Sequence, residues 1–188
     1  MKWLKTQKRL VLDSWLLEEA GAGGHLETLE WIRSEGCPWE ESACAGAAEG
    51  GHLEVLKWLR EKGCSWDSKT CSWAAVRGDL NMLEYARENG CPWDKWTCAA
   101  AAGKGYFDVL QWLRSQDPPC PWGKGTIDAA GPHGHLDLIQ WALDEGCPCE
   151  FNENTRAALK FVGVPVSAVQ SAREEAEEEA GREGGGAI

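Results

Sequence analysis

Five glycines recur in a single phase, and that phase limits the chain more than any other feature. Gly24, Gly51, Gly78, Gly105 and Gly134 each precede an amphipathic run, at spacings of 27, 27, 27 and 29 residues. Each run ends at a cysteine, and Cys37, Cys64, Cys91, Cys120 and Cys147 are spaced 27, 27, 29 and 27 residues apart. Trp39, Trp66, Trp93 and Trp122 keep the same phase, as do Trp31, Trp58, Tyr85, Trp112 and Trp141 inside the runs. The one irregular spacing has a visible cause, because Asp117-Pro118-Pro119 lengthens a loop by two residues. A unit of this size cannot bury its own apolar face, so the copies are expected to stack and share one core.

Each unit reads as two helices. In the longer, Leu53, Val55, Leu56, Trp58 and Leu59 form a broad apolar face, with Glu54, Lys57, Arg60 and Glu61 on the wet side. Gly63 is expected to stop it in a left-handed conformation, and Pro38, Pro92, Pro121 and Pro148 prevent its continuation. The shorter helix is Ala-rich (ESACAGAAEGG, SKTCSWAAVRG, KWTCAAAAGKG, KGTIDAAGPHG), with Asp67 and Asp94 as N-caps and a narrow face suited to close contact.

The segment GHLEVLKWLREKG resembles the second helix of the ankyrin repeat, whose usual text is close to NGHLEVVKLLLEAGADVN. Ala47-Ala48, Ala74-Ala75 and Ala101-Ala102 resemble the paired alanines that end the ankyrin first helix. The likeness covers about residues 13 to 150. An ankyrin unit has about 33 residues; the residues missing here fall where that family carries its β-hairpin, and Lys69-Thr70-Cys71-Ser72 stands in place of Thr-Pro-Leu-His. The resemblance implies a non-enzymatic scaffold or adaptor for protein partners. The expected fold is all-α: an α-solenoid of about five stacked helix-turn-helix units over residues 24–150. Residues 1–23 are expected to form a degenerate capping unit and 151–165 a capping helix. The acidic, Gly-rich stretch 166–188 is expected to be disordered.

Net charge of −11 and the lack of a basic stripe argue against nucleic acid as a partner. No apolar run approaches the roughly 18 residues of a membrane span. Nine cysteines, an odd number without a secretion signal, favour a reducing, intracellular setting, cytoplasmic or nuclear, and a monomer is expected.

The cysteines raise an alternative, a metal-binding or redox-sensing module. Cys37/Cys44, Cys64/Cys71 and Cys91/Cys98 share a seven-residue spacing, but Ile127 stands at the next equivalent place. A ligand position does not tolerate isoleucine, whereas a small buried position does. Cys147-Pro148-Cys149 is the one local pair. His25, His52 and His135 open helices where other units place Asp79 and Tyr106, so they read as helix-start residues bonding the local backbone rather than as bases. No catalytic, cofactor or metal set is expected.

Recognition is expected where the units differ. One first-turn place reads Ser42, Lys69, Trp96, Gly125; the place before it reads Glu41, Ser68, Lys95, Lys124. The candidate partner-binding residues are therefore Glu41, Ser42, Ser68, Lys69, Lys95, Trp96 and Lys124, with Trp96 as the anchor. Trp73, where other units have glycine or alanine, is expected to fill a local gap.

Overall fold

The structure is a computed structural model that describes residues 14–38 and 40–149. Residues 1–13 of the expected capping unit 1–23, Trp39, the last residue of the expected array (Glu150), the expected capping helix 151–165 and the tail 166–188 lie outside the described residues. Within them the chain is all-helical, with no strand. The helices are α1 (Ser14–Ala22), α2 (Leu26–Ser34), α3 (Glu41–Gly50), α4 (Leu53–Glu61), α5 (Ser68–Arg77), α6 (Leu80–Glu88), α7 (Lys95–Lys104), α8 (Phe107–Ser115), α9 (Lys124–Ala130) and α10 (Leu136–Asp144). A 3-10 turn, Gly131–His133, separates the last two, because Gly131-Pro132 cuts α9 to 7 residues.

The helices pack as hairpins, α1 with α2 through α9 with α10, and α1, α3, α5, α7 and α9 lie against one another in order. The hairpin therefore begins with the Ala-rich helix, so the boundary drawn at residue 23 falls in the turn between α1 and α2. The expected lengths are also reversed: α3, α5 and α7 have 10 residues, whereas α2, α4, α6, α8 and α10 have 9. The amphipathic helix is shorter because its Gly-His opening is excluded, the histidine serving as N-cap residue.

Small residues set the spacing of the Ala-rich row. Ala47, Ala48, Ala74, Ala75, Ala101 and Ala102 are fully buried. At Gly46 an added Cβ would lie 2.1 Å from the carbonyl oxygen of Glu18, so α1 and α3 touch backbone to backbone. The amphipathic helices touch one another far less, and their larger side chains fill the wider layer: Leu29, Ile32, Leu56, Leu59, Leu83, Leu110, Leu113 and Ile139 are all fully buried. Gly63 is left-handed as expected, at φ +81°, and Gly51, Gly78 and Gly105 end the Ala-rich helices in the same conformation, at φ of +71° to +76°.

Four of the five described hairpins are closed by a cysteine thiol. The thiols of Cys64, Cys91, Cys120 and Cys147 donate to the carbonyls of Glu40, Asp67, Asp94 and Gly123, at 3.2, 3.4, 3.5 and 3.6 Å. Those carbonyls belong to the residues just before the Ala-rich helices. The amides of Cys64 and Cys91 bond to Leu59 and Ala86, and that of Cys120 still reaches the equivalent carbonyl of Leu113. The two extra residues of the Asp117-Pro118-Pro119 loop are thus bulged out without moving the joint.

An arginine locks the same joint. Arg60, Arg87 and Arg114 donate to the carbonyls of Cys64, Cys91 and Cys120. Their guanidinium carbons sit 4.1, 3.7 and 4.1 Å from the ring centroids of Trp66, Trp93 and Trp122. Arg60 is therefore half-buried rather than on an open wet face. The loop tryptophans in turn meet the next hairpin edge-on: Trp66 with Tyr85 at 6.2 Å, Trp93 with Trp112 at 6.3 Å, Trp122 with Trp141 at 5.8 Å. In the last hairpin Leu143 replaces the arginine and Cys149 replaces the tryptophan, so the two partners change together.

We expect Gly46→Ala to lower unfolding free energy by about 3 kcal/mol, because backbone must move. Gly63→Ala, with φ +81° and open space around it, should cost about 1 kcal/mol from the left-handed conformation alone. Urea unfolding of both variants checks the order, and equal losses would refute the backbone contact. A double-mutant cycle on Arg87→Ala and Trp93→Ala should give a coupling of about 1 kcal/mol; additive losses would show that the stack contributes nothing.

Candidate functional site

A groove of ≈ 690 Å³ runs along α5, α7 and α9, from their first turns to Val76 and Ala129 near the ends of α5 and α9. Trp73 and Val76 on α5 form one wall, Trp96 on α7 the other, and Ala99, Ala100, Gly125 and Ala129 keep the floor low. Asp67, Ser68, Lys69 and Asp94 form the polar rim. Trp96 lines the groove and is 63% exposed.

The rim is fixed by capping chemistry. Asp67 accepts from the amide of Lys69 at 3.0 Å, and Asp94 accepts from that of Trp96 at 2.9 Å. The second oxygen of Asp94 accepts from Ser68 Oγ at 2.7 Å, tying α5 to the start of α7. Both aspartates are the N-caps expected from sequence. Ser72 Oγ and the buried Thr97 Oγ1 lie 3.3 Å apart beneath the groove and link the same two helices.

Of the seven candidate residues, Ser68, Lys69 and Trp96 line the groove. Lys95 lies beside it, with its Nζ 5.7 Å from the Trp96 ring centroid. Glu41 is exposed on the first turn of α3, and Lys124 is exposed on that of α9. Ser42 does not face outward: its hydroxyl is buried without a hydrogen-bond partner. Trp73 does not plug a gap as expected but stands half-buried as a groove wall, because alanine at 100 and 129 leaves its side open. Trp15 falls at a first-helix position of the expected N-terminal unit but is not among the seven candidates. It lies 27 residues before Ser42, in the same repeat place as Trp96, and is also 63% exposed.

His52 acts between hairpins, not on its local backbone. His25, His52 and His135 precede their helices without a side-chain cap bond. His52 Nε2 instead lies 3.0 Å from the carbonyl of Ala22 at the end of α1. Asp79 does cap locally, accepting from Met82 N at 3.0 Å. In that unit Arg77 takes over the longer reach, donating at 3.1 Å to the carbonyl of Glu49, 27 residues beyond Ala22.

The cysteines pair differently from the seven-residue spacing. Cys44 meets Cys64, Cys71 meets Cys91, and Cys98 meets Cys120, each joining the Ala-rich helix to the closing cysteine of the same hairpin. None of the nine is in a disulfide, and eight are buried. The neighbouring thiol and burial hold Cys44, Cys91 and Cys120 far above the ordinary thiol range, while hydrogen bonding to Cys44 and the charge of Arg60 draw Cys64 the other way. Burial pushes Cys147 up to about 12. Protonated thiols are poor nucleophiles and poor ligands. Among the described residues, no three His, Cys, Asp or Glu side chains converge to hold a metal ion, and no helix is long and apolar enough to cross a membrane.

At pH 8 we expect a thiol reagent to modify the half-buried Cys149 first, and the eight buried cysteines only as fast as the hairpins open. Site-resolved alkylation followed by mass spectrometry reads the order; reaction of Cys44, Cys91 or Cys120 within seconds in folded protein would overturn it. Comparison with protein families yields no matching family, and none of the curated proteins matches the chain.

Proposed function

We propose that the chain is a non-enzymatic, ankyrin-type scaffold or adaptor, an α-solenoid of about five short repeats that binds a protein partner through the concave face of its Ala-rich helices. The supporting observation is the contrast at one repeat place. Positions 42, 69, 96 and 125 share a register, yet carry Ser, Lys, Trp and Gly. A tryptophan 63% exposed beside an apolar floor is unneeded for stacking and suits a partner's side chain. The close Ala-rich row and the wider aromatic layer support curvature toward the groove. The working molecule is an intracellular monomer whose cysteines serve as core, without cofactor, metal or catalytic role.

The thiol module is the weaker reading. The sulfurs meet in pairs inside hairpins, and each closing thiol is engaged with a backbone carbonyl.

Affinity capture from the native cell, followed by mass spectrometry, tests the scaffold reading. Trp96→Ala should weaken recovery of the specific partner by tenfold or more, as for an interface anchor worth about 2 kcal/mol. Lys69→Glu should weaken it as well, with helical content unchanged in both variants. Identical recovery by wild type and both variants would remove this groove as the binding surface.

A further inference from the structure

We propose that the groove between α5, α7 and α9 is occupied in the resting chain by its own residues 164–183, so that a partner binds by displacing them. This rests on the groove being the recognition surface proposed above, and it adds how access to that surface is controlled.

The first support is the place where the described chain ends. The Cys147 thiol donates to the carbonyl of Gly123 at 3.6 Å, the residue immediately before Lys124. The chain therefore runs on from Cys149 beside the first turn of α9, at the rim of the groove rather than at the opposite end of the helices. Residues 150–163 separate that point from the proposed occupant. Fourteen residues reach at most about 45 Å, more than the two helix-to-helix steps of about 20 Å from α9 to α5. A short tether able to span its sites gives an effective concentration on the order of millimolar.

Charge gives the second. The chain carries −11, yet three of the six lysines among the described residues, Lys69, Lys95 and Lys124, stand in the first turns of consecutive Ala-rich helices. Asp67 and Asp94 share this rim, but their carboxylates are turned into the helix starts, accepting from Lys69 N, Trp96 N and Ser68 Oγ. Residues 173–183, REEAEEEAGRE, hold six glutamates against two arginines. On so acidic a chain the lysine row is the favourable place for such a block.

The third is the order of residue types. Val164, Val166 and Val169 precede the glutamates. Aliphatic side chains suit the floor made by Ala99, Ala100, Gly125 and Ala129, with Trp73 and Trp96 on either side. One segment thus carries an apolar part for the floor and an acidic part for the rim. The same composition describes the partner that would displace it: an acidic segment with aliphatic anchors.

Zero-length carbodiimide cross-linking of the full chain, mapped by mass spectrometry, tests this without any partner. Glutamates between Glu174 and Glu183 should couple to Lys69, Lys95 and Lys124 about tenfold more than to Lys57, Lys62 and Lys104, the last lying at the far end of α7. The preference should survive dilution, disappear near 1 M salt where screening acts within about 3 Å, and fall at the remaining Lys124 in the folded Lys69→Glu/Lys95→Glu variant. Equal coupling to all lysines would overturn the proposal, and so would a preference lost on dilution, which would place the tail on a second copy. Neither outcome bears on partner capture through Trp96, so the two readings fail separately.

Discussion

Everything in this fold follows from how closely the Ala-rich helices approach one another. Gly46 lies against the carbonyl of Glu18, with no room for a methyl group. Side chains of that size bury little area each, roughly 25 cal/mol per Å² of apolar surface. The row therefore relies on the amphipathic layer behind it for most of its hydrophobic stabilisation. Small residues in front and large ones behind open the front face just where α7 and α9 present Ala99, Ala100, Gly125 and Ala129. The groove is a by-product of close packing, and Trp73 and Trp96 give it walls.

The second layer is held by a repeated joint that uses cysteine, arginine and tryptophan together. The thiol satisfies the carbonyl before one helix, the amide a carbonyl near the end of the other, and the guanidinium bridges the cysteine carbonyl to the indole. Cysteine suits this place because it is small, apolar enough for the core and still a weak donor. Between hairpins the tie is looser in identity. His52 spans from one unit to the preceding helix end, and Arg77 makes the equivalent span one unit later. What is kept is a donor over that carbonyl, not a residue type.

Much of this was legible in the sequence. The period located the helices, their glycine stops and the Asp67 and Asp94 caps, because these depend on local backbone chemistry. The exposure of Trp96 was legible too, as a residue that stacking does not require. Whatever depends on contacts between units was not. Cys64 lies nearer in sequence to Cys71 than to Cys44, yet hairpin closure brings it to Cys44. His52 looks like a helix-start residue until the preceding unit is placed over it. Helix lengths were reversed because a repeating Gly-His pair reads as the start of a helix, while in three dimensions it forms the turn before one.

The paired change in the last hairpin bears on how the molecule comes apart. Leu143 and Cys149 stand where the other joints have arginine and tryptophan. Leucine offers no planar cation to stack and no donor for the cysteine carbonyl. The array is therefore mechanically uneven, with interior seams pinned by charge over aromatic rings and its final seam closed by the thiol and aliphatic packing. Among the described hairpins, local opening is therefore easiest where α10 meets α9, and the three joints fastened alike by Arg60, Arg87 and Arg114 resist it more.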